Sequence, residues 1–392
     1  MQSEEEKPDK LTHYISGDNG NGVDLSEEKH SDLEKLKNIK HLKLERDGIF
    51  SLKEHFKPES LDFIYIGDLA KTKFYPIILK EISYYCKLNG FMALKLNRKR
   101  RISFDTFLRE SKKIFGEKGA LRKQDRKNKV LVFQKTKESL EQGDSIDKWT
   151  FGIITDGKKI GQVQKQIEAI RKLKIPKYEI IICGKYDEKT KKDTKYVFFE
   201  YFDKGWITAQ KNKILENAKY ENVVVMHDRI VPTKDFYEGM KKYGNYFEVL
   251  SCKIINDKKE RCGDWMTNGN PFNRSSRLGL LDYRDWDRNN WIDGGFYILK
   301  KSVWRRMQWD ESLFWNQGED IKLTKDWMSI GIIPRFNPHS SCKTLSWRHG
   351  EFPKYQFNSQ KLGRRQYSRL KEIRDSSMHY LKKFIKFLLG RD

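Results

Sequence analysis

The sequence predicts an α/β protein with two α/β domains in tandem, followed by a C-terminal basic helix. Strand and helix patterns alternate along both halves of the chain, which is typical of mainly parallel sheets. The 392 residues exceed what one hydrophobic core usually holds. Hydrophobic residues make up 37% of the chain and aromatic residues 13%, so both domains have enough apolar surface to bury. Disorder is therefore not expected for the chain as a whole.

The first predicted domain covers residues 11–136, after a polar and acidic N-terminus. Its strongest signal is the apolar run at residues 61–66, which indicates a buried strand. Its predicted strands are 12–16, 22–25, 61–66, 91–96 and 129–134, and its predicted helices begin at Ser26 and cover 77–85 and 104–115. Residues 137–149 are polar and lack apolar periodicity, so they are expected to form a linker.

The second predicted domain covers residues 150–355. Its predicted strands are 151–154, 179–183 and 222–226, and its predicted helices are 162–172 and 208–217. The last of these strands runs directly into His227, Asp228 and Arg229. Because ligands of open α/β sheets bind beyond the carboxyl ends of the strands, these polar residues predict a ligand site.

The net charge of +24 suits a polyanionic partner such as nucleic acid, anionic lipid or a phosphorylated glycan. A solvated lysine surface accounts for the same number equally well. The charge is concentrated at residues 98–101, 122–129 and 361–391. The composition alone does not choose between these partners.

Neither a membrane-spanning nor an exported protein is expected. The chain has no run of about 18 apolar residues, and its first thirty residues are polar and acidic. Its five cysteines include no CxxC pair, which argues against a disulfide framework and against a structural zinc site. A cytoplasmic protein is the expectation.

The C-terminal segment 356–392 is predicted to be a basic amphipathic helical tail. Within it, Tyr380, Leu381, Phe384, Ile385 and Leu388 share one helical face, with lysines mostly opposite. Such a helix either lies peripherally on an anionic membrane, here the inner membrane face, or packs against the second domain.

Four motifs, carried by three runs of the second half, follow one another in a recognisable order: a basic-Asn pair, a strand-end acidic motif, a Gly-rich segment and a Gly-Glu-Asp helix start. The run GWITAQKNKILENAKYENVVVMHDRIVP begins at Gly205, WIDGGFYILKKSVW begins at Trp291, and FWNQGEDIKLTKDWMSIGI begins at Phe314. Together they resemble inverting family-2 glycosyltransferases of the GT-A fold, over about 200 residues. The resemblance implies a donor site with Lys211 and Asn212 as its basic-Asn pair and Asp228 and Arg229 at its acidic motif. It also implies an acceptor segment at Gly294 and Gly295.

Glu319 and Asp320 directly follow Gly318 at a predicted helix start, where backbone N–H groups and the helix dipole stabilise carboxylates. Glycosyl transfer needs a base to deprotonate the acceptor hydroxyl, and Asp320 is the candidate, with Glu319 beside it. Both residues could instead simply cap the helix.

A divalent cation, Mn²⁺ or Mg²⁺, is expected at the end of the third strand, since charge builds on the leaving diphosphate. The resemblance implies His227 and Asp228 as ligands, with His349 completing the metal shell. Arg229 stands where the family has a second carboxylate. Arg229 is therefore the alternative source of positive charge, and His349 could equally be an ordinary surface histidine.

The nucleoside of the donor is expected to meet the loop after the first strand of this domain. Thr155 and Asp156 lie there, and the Asp156 carboxylate can accept a hydrogen bond from a base or ribose. The family often has an Asp at the end of the next strand, where this chain has Cys183 and Gly184, with Asp187 following. Aromatic residues that suit stacking on sugar rings follow further along, and at most one or two of them are expected to contact a ligand: Trp286, Trp291, Trp304, Trp309 and Trp315.

The first domain carries a weaker resemblance. YISGDNGNGVDLS, SLDFIYIGDL and CKLNGFMALKL resemble, in order, the cofactor loop, fourth strand and fifth strand of a shortened class I methyltransferase, which has a Rossmann-like fold. The resemblance implies S-adenosylmethionine as a cofactor and Asp24 as its ribose ligand. The glycine loop is irregular, so a degenerate domain with a structural or acceptor-docking role is the leading expectation.

The sequence therefore predicts an inverting glycosyltransferase that moves a sugar from a nucleotide-sugar donor to a cell-surface glycan or lipid-linked acceptor. The first alternative is a DNA-modifying glycosyltransferase that acts on a hydroxylated base, because of the charge and the basic cluster at 98–101. A non-catalytic nucleic-acid-binding protein is the second alternative, although the ordered carboxylate motifs argue against it. The sugar, nucleotide, acceptor and oligomeric state are not determined by the sequence.

Overall fold

A computed structural model describes residues 20–26, 33, 38–43, 52–67, 69, 74–96, 102–186, 193–267, 279–346 and 356–357. Within these ranges the protein is a mixed α/β structure with two large sheets, as the sequence predicts, and a smaller third sheet. None of the helices in the described ranges is long and apolar enough to span a bilayer.

The first sheet has six strands in the spatial order β2-β1-β3-β4-β6-β5. Strands β2, β1, β3 and β4 are parallel, and β6 and β5 add an antiparallel edge. In chain order the strands are β1 (Gly22–Asp24), β2 (Ile39–His41), β3 (Leu61–Ile66), β4 (Cys86–Lys95), β5 (Gly119–Asp125) and β6 (Val130–Lys135). Two helices follow β3 and β4, α1 (Tyr75–Tyr85) and α2 (Phe104–Phe115), and a 3₁₀ turn at Gly116–Lys118 follows α2.

The second sheet has eight strands in the order β11-β17-β12-β16-β10-β7-β8-β9. Its strands are β7 (Lys148–Thr155), β8 (Lys177–Gly184), β9 (Thr194–Phe198), β10 (Asn222–His227), β11 (Ile230–Pro232), β12 (Val249–Ile255), β16 (Phe296–Lys300) and β17 (Arg335–Thr344). Strands β10, β7, β8 and β9 are parallel neighbours, so their carboxyl ends meet at one edge. Strand β16 runs antiparallel to β10, which brings the residues before β16 to the same edge.

Five helices and the third sheet complete the described part of the second half. The helices are α3 (Ile160–Lys172), α4 (Ile207–Asn217), α5 (Phe236–Tyr243), α6 (Lys301–Arg306) and α7 (Glu319–Ser329). The third sheet has the order β15-β13-β14-β18, with β13 (Trp265–Thr267), β14 (Gly279–Leu281), β15 (Asn290–Ile292) and β18 (Gln356–Phe357). Because β18 pairs with β14, residues 356 and 357 join a sheet rather than begin the predicted helical tail.

Buried residues of the two halves form one continuous apolar cluster, which includes Ile78 and Ile82 of α1 and Ile332 and Phe336 near β17. An ion pair lies in the same interface, with Arg335 Nη2 2.7 Å from Glu81 Oε2 and both side chains buried. The predicted linker ends two residues early, because Lys148 and the fully buried Trp149 belong to β7.

Several predicted features lie outside the described residues. They are the strand at 12–16, most of the helix beginning at Ser26, the basic cluster 98–101, His349 and the tail beyond Phe357.

Candidate active site

The carboxyl ends of β7, β8 and β10 form the floor of the candidate site. Thr155 pairs with Gly184 across β7 and β8, and His227 pairs with Ile154 across β10 and β7. Gly184 has φ +135°, and a Cβ there would lie 1.8 Å from the Thr155 carbonyl oxygen. This close approach explains why glycine follows Cys183 where the resembled family often has an acidic residue.

Thr155 and Asp228 are brought together at this edge. The Thr155 hydroxyl donates to Asp228 Oδ2 at 3.1 Å. The turn that carries Asp228 is held by helix α3, because Gln166 donates through Nε2 to the carbonyls of His227 (2.9 Å) and Ile230 (2.6 Å). Burial raises the pKa of Asp228, while Lys159 and the Thr155 hydroxyl act in the opposite direction.

His227 is neutral in this environment. Burial lowers its pKa well below the usual range, and the positive charges of Lys211 and Arg229 lower it further. Its Nε2 is buried and has no hydrogen-bond partner among the described residues. The backbone N–H of His227 donates to the Gly295 carbonyl at 3.0 Å, which fixes the end of β10 against the turn before β16.

Asp293, which the sequence analysis did not select, is a buried carboxylate at the centre of this turn. Its Oδ1 accepts from the Gly295 N–H at 2.8 Å. Burial raises its pKa, whereas the nearby charge of Arg229 opposes that shift. The sequence feature that could have identified Asp293 is its position directly before Gly294 and Gly295 in the motif WIDGG.

Gly294 joins the turn before β16 to the start of α7. Its N–H donates to Asp320 Oδ2 at 3.0 Å, and its carbonyl accepts from Lys211 Nζ at 2.8 Å. A Cβ on Gly294 would lie 2.5 Å from Glu319 Oε1. The motif therefore needs glycine here because carboxylates pack directly against the backbone.

Asp320 is a largely buried carboxylate whose pKa is raised to about 7. Burial is the main cause, and the negative charges of Glu319 and Asp293 add to it. Lys211 and the Ile321 N–H, which donates to Oδ1 at 2.8 Å, act in the opposite direction. A carboxylate with this pKa can accept a proton near neutral pH.

Lys211 and Asn212 of α4 lie in the interior rather than at the open edge of the sheet. Lys211 Nζ is 2.9 Å from Glu319 Oε1, and the lysine side chain is fully buried. The Asn212 amide is fully engaged: its Nδ2 donates to the Trp309 carbonyl and to Glu311, and its Oδ1 accepts from the Trp304 indole and the Trp309 N–H. Lys211 therefore holds α4 against Gly294 and the start of α7, and Asn212 holds α4 against residues 304–311.

Asp156 stands at the open end of β7, where its carboxylate is about one third exposed and lies 3.3 Å from Lys158 Nζ. It also accepts from the Lys158 N–H at 2.9 Å. Among the predicted donor-side residues, Asp156, Asp228 and Arg229 are partly exposed, whereas Thr155, Lys211 and Asn212 are buried.

The described residues contain no group of three or more His, Cys, Asp or Glu side chains that could hold a metal ion. His227 and Asp228 provide two potential ligands, one of them the buried Nε2 of His227, which has no hydrogen-bond partner among the described residues. A metal ion here would need oxygens from a bound diphosphate to complete its coordination.

No protein-family model and no curated protein matches the chain. Among solved structures it is similar to GalNAc-T7 with UDP, GalNAc and Mn²⁺, at 12% identity and a TM-score of 0.37, over 52% of this chain and 45% of that one. It is also similar to S. aureus TarS, at 13% identity and a TM-score of 0.33, over 51% of this chain and 37% of that one. The inositol-1-phosphate CTP transferase from T. maritima matches at 12% identity and a TM-score of 0.34, over 51% of this chain and 90% of that one.

The chain thus spans less than half the length of the first two of these proteins. At TM-scores this low the similarity does not support a function. The functional argument has to come from the chemistry of the site.

Proposed function

We propose that the chain is a nucleotide-sugar-dependent glycosyltransferase of the GT-A type, with its active site at the carboxyl edge of β7, β8 and β10. The observation that carries the proposal is Asp320, a carboxylate of pKa about 7 held by the Gly294 N–H beside a second buried carboxylate, Asp293. Buried carboxylates with raised pKa values at a strand edge are typical of acid-base sites.

In the proposed reaction, an acceptor hydroxyl attacks the anomeric carbon of the donor sugar. A bond forms from that oxygen to the carbon, the bond to the nucleoside diphosphate breaks, and the hydroxyl proton moves to Asp320. One base and one displacement invert the anomeric configuration. Asp156 and Thr155 are assigned to the nucleoside and Asp228 to the diphosphate end of the donor, because all three stand at the strand ends.

Lys211, Asn212 and Glu319 are positioning residues in this proposal. The buried Lys211 ammonium neutralises Glu319 and holds the Gly294 carbonyl, so it sets the distance between Asp320 and the turn before β16. Gly294 and Gly295 let the carboxylates of Glu319 and Asp293 approach the backbone of that turn, beside which the acceptor is proposed to bind.

A cation offsets the charge that develops on the leaving diphosphate. We assign this cationic role to Mn²⁺ or Mg²⁺ held by His227 and Asp228, because neutral imidazole and carboxylate are the forms that bind metal ions. Arg229 is the alternative, since its guanidinium lies close enough to Asp293 to affect that residue's pKa.

For the first half of the chain we propose a structural or acceptor-docking role rather than binding of S-adenosylmethionine. The Asp24 side chain, expected to bind ribose in a methyltransferase, is buried and accepts from the Ser26 hydroxyl. The proposed acceptor is a cell-surface glycan or a lipid-linked sugar.

The test is a panel of UDP-, GDP-, dTDP- and CMP-linked sugars, with the full chain assayed for slow donor hydrolysis and for thermal stabilisation. One donor class should be hydrolysed and should raise the melting temperature. The proposal fails if no member of the panel is hydrolysed or bound.

A further inference from the structure

The tryptophans expected to stack on sugars divide sharply by exposure. Trp286, Trp291, Trp304 and Trp309 are all at most 7% exposed, whereas Trp315 is 54% exposed. Trp315 directly follows Phe314, which belongs to a cluster of rings with Trp206 and Tyr201. These four residues are here called the aromatic platform. Trp206 stacks on Phe314 at 5.7 Å between ring centroids and 18° between planes, and Tyr201 lies 5.7 Å from Trp206.

The platform is fixed by hydrogen bonds between two loops. The Trp315 N–H donates to the Gly205 carbonyl at 2.8 Å, and the Trp206 indole donates to the Glu311 carbonyl at 2.7 Å. The Thr208 hydroxyl donates to the Leu313 carbonyl at 2.6 Å. The exposed rings therefore stand on a rigid support, which reduces the entropy lost when they bind a ligand.

Helix α4 connects the platform to the proposed base. Thr208 holds the platform loop, and Lys211, one turn later and about 4.5 Å along the helix axis, holds Glu319. Asp320 follows Trp315 by five residues in the same segment. Two residues near the start of α4 thus hold the platform loop and the segment that carries the proposed base.

The two segments that carry the platform are mildly acidic, although the chain as a whole is strongly basic. Residues 198–206 and 310–318 contain four carboxylates and one lysine, a net charge of −3 against +24 for the chain. The carboxylates are Glu200, Asp203, Asp310 and Glu311, and the lysine is Lys204. Two further lysines contact these segments: Lys322 Nζ lies 3.4 Å from Asp310 Oδ2, and Lys185 Nζ lies over the Phe202 ring. The remaining negative charge does not attract anionic lipid or nucleic acid, and the Glu200 and Asp203 carboxylates can accept hydrogen bonds from sugar hydroxyls.

We propose that the aromatic platform binds a pyranose ring of the acceptor, so that the acceptor is an uncharged or weakly charged glycan. The C–H face of a pyranose packs on the electron-rich face of an aromatic ring, and the ring hydroxyls reach the flanking carboxylates. This inference rests on the proposed function, because it assigns the platform to the second substrate of the same reaction.

The experiment measures binding of maltohexaose, cellohexaose and chitohexaose to the full chain by calorimetry, in parallel with donor hydrolysis. At least one hexasaccharide should bind, and Trp315→Ala should weaken it by about tenfold while donor hydrolysis stays unchanged. Trp315→Phe should retain most of the affinity. Leu88→Ala, which removes another exposed apolar side chain in the first half of the chain, should have no effect.

The proposal is overturned if none of the hexasaccharides binds, or if Trp315→Ala binds them as the native chain does. Binding to neutral or anionic phospholipid vesicles that is lost in Trp315→Ala would also overturn it, in favour of a membrane contact. Absence of donor hydrolysis in the native chain counts against the proposed function. Normal hydrolysis with glycan binding independent of Trp315 counts against the platform alone.

Discussion

Gly294 donates its backbone N–H to the carboxylate of Asp320 at 3.0 Å, which joins the turn before β16 to the first turn of α7. The two residues are 26 positions apart in sequence. The contact leaves no space for a side chain on Gly294, since a Cβ would lie 2.5 Å from Glu319 Oε1.

Gly294→Ala is therefore expected to reduce kcat/KM by about 10²-fold, because the carboxylates must shift away from their positions around the turn. Gly161→Ala is the matched control: a Cβ there meets nothing within 4 Å, and alanine favours the helix that contains it. Steady-state kinetics with thermal melting separates the two effects. Normal turnover in Gly294→Ala would show that this turn does not set the geometry of the base.

The pH dependence of glycosyl transfer should follow the protonation of the Asp320 carboxylate. A base with a pKa of about 7 is protonated below that pH, so kcat/KM should rise about tenfold per pH unit up to about pH 7 and level off above it. Because the charge of Asp293 helps to raise the pKa of Asp320, Asp293→Asn should move the midpoint to lower pH. Asp105→Asn, on the exposed surface of α2, should leave it unchanged. A midpoint that does not move with Asp293→Asn would remove Asp293 from the environment of the base.

Metal binding should depend on the nucleotide. Since His227 and Asp228 offer two ligands at most, Mn²⁺ should bind at least about tenfold more tightly in the presence of the donor's nucleoside diphosphate than alone, as measured by calorimetry. His227→Ala should abolish this difference. Full turnover in a chelator would instead assign the positive charge to Arg229, and Arg229→Gln should then be inactive.

The ion pair between Arg335 and Glu81, in the interface between the two halves, is expected to contribute to the stability of the fold. Arg335→Met leaves the Glu81 carboxylate buried without its partner, so the free energy of unfolding should fall by about 3–5 kcal/mol. Arg126→Met breaks an exposed pair with Asp105 and should cost less than about 1 kcal/mol. Urea unfolding of both variants makes the comparison. Equal losses would mean that the Arg335 pair adds nothing beyond a surface contact.

Elements with strong apolar patterns were predictable from the sequence. The strands β3, β7, β8 and β10 are buried on both faces and appear as apolar runs, and helix α2 was predicted with the bounds that the structure has. The edge strands β5 and β9 were not predicted, and neither were the interior strands β12, β16 and β17. β5 and β9 carry exposed charged residues, and their pairing depends on neighbours rather than on a local pattern.

The candidate site was predictable where its chemistry is local in sequence. Gly318, Glu319 and Asp320 form a helix start that a short motif reveals. The contacts of Lys211 were not predictable, because its two partners, Gly294 and Glu319, lie 83 and 108 residues away. A basic residue near a helix start suggests a phosphate ligand, and only the tertiary contacts of Lys211 with Gly294 and Glu319 show that its side chain is turned inward.

The central claim is that Asp320 is the base, and it is tested most directly by comparing Asp320→Asn with the native chain in transfer rate and donor affinity. The amide keeps the shape of the side chain but cannot accept the proton. Turnover should therefore fall by about 10²–10⁴-fold while the Kd for the nucleotide sugar stays within about threefold. Because the raised pKa means that the folded state favours protonated Asp320, its contribution to stability is lost as pH rises towards 7. The asparagine variant should accordingly melt no lower than the native chain above pH 7. Near-native turnover in a well-folded Asp320→Asn would contradict the assignment.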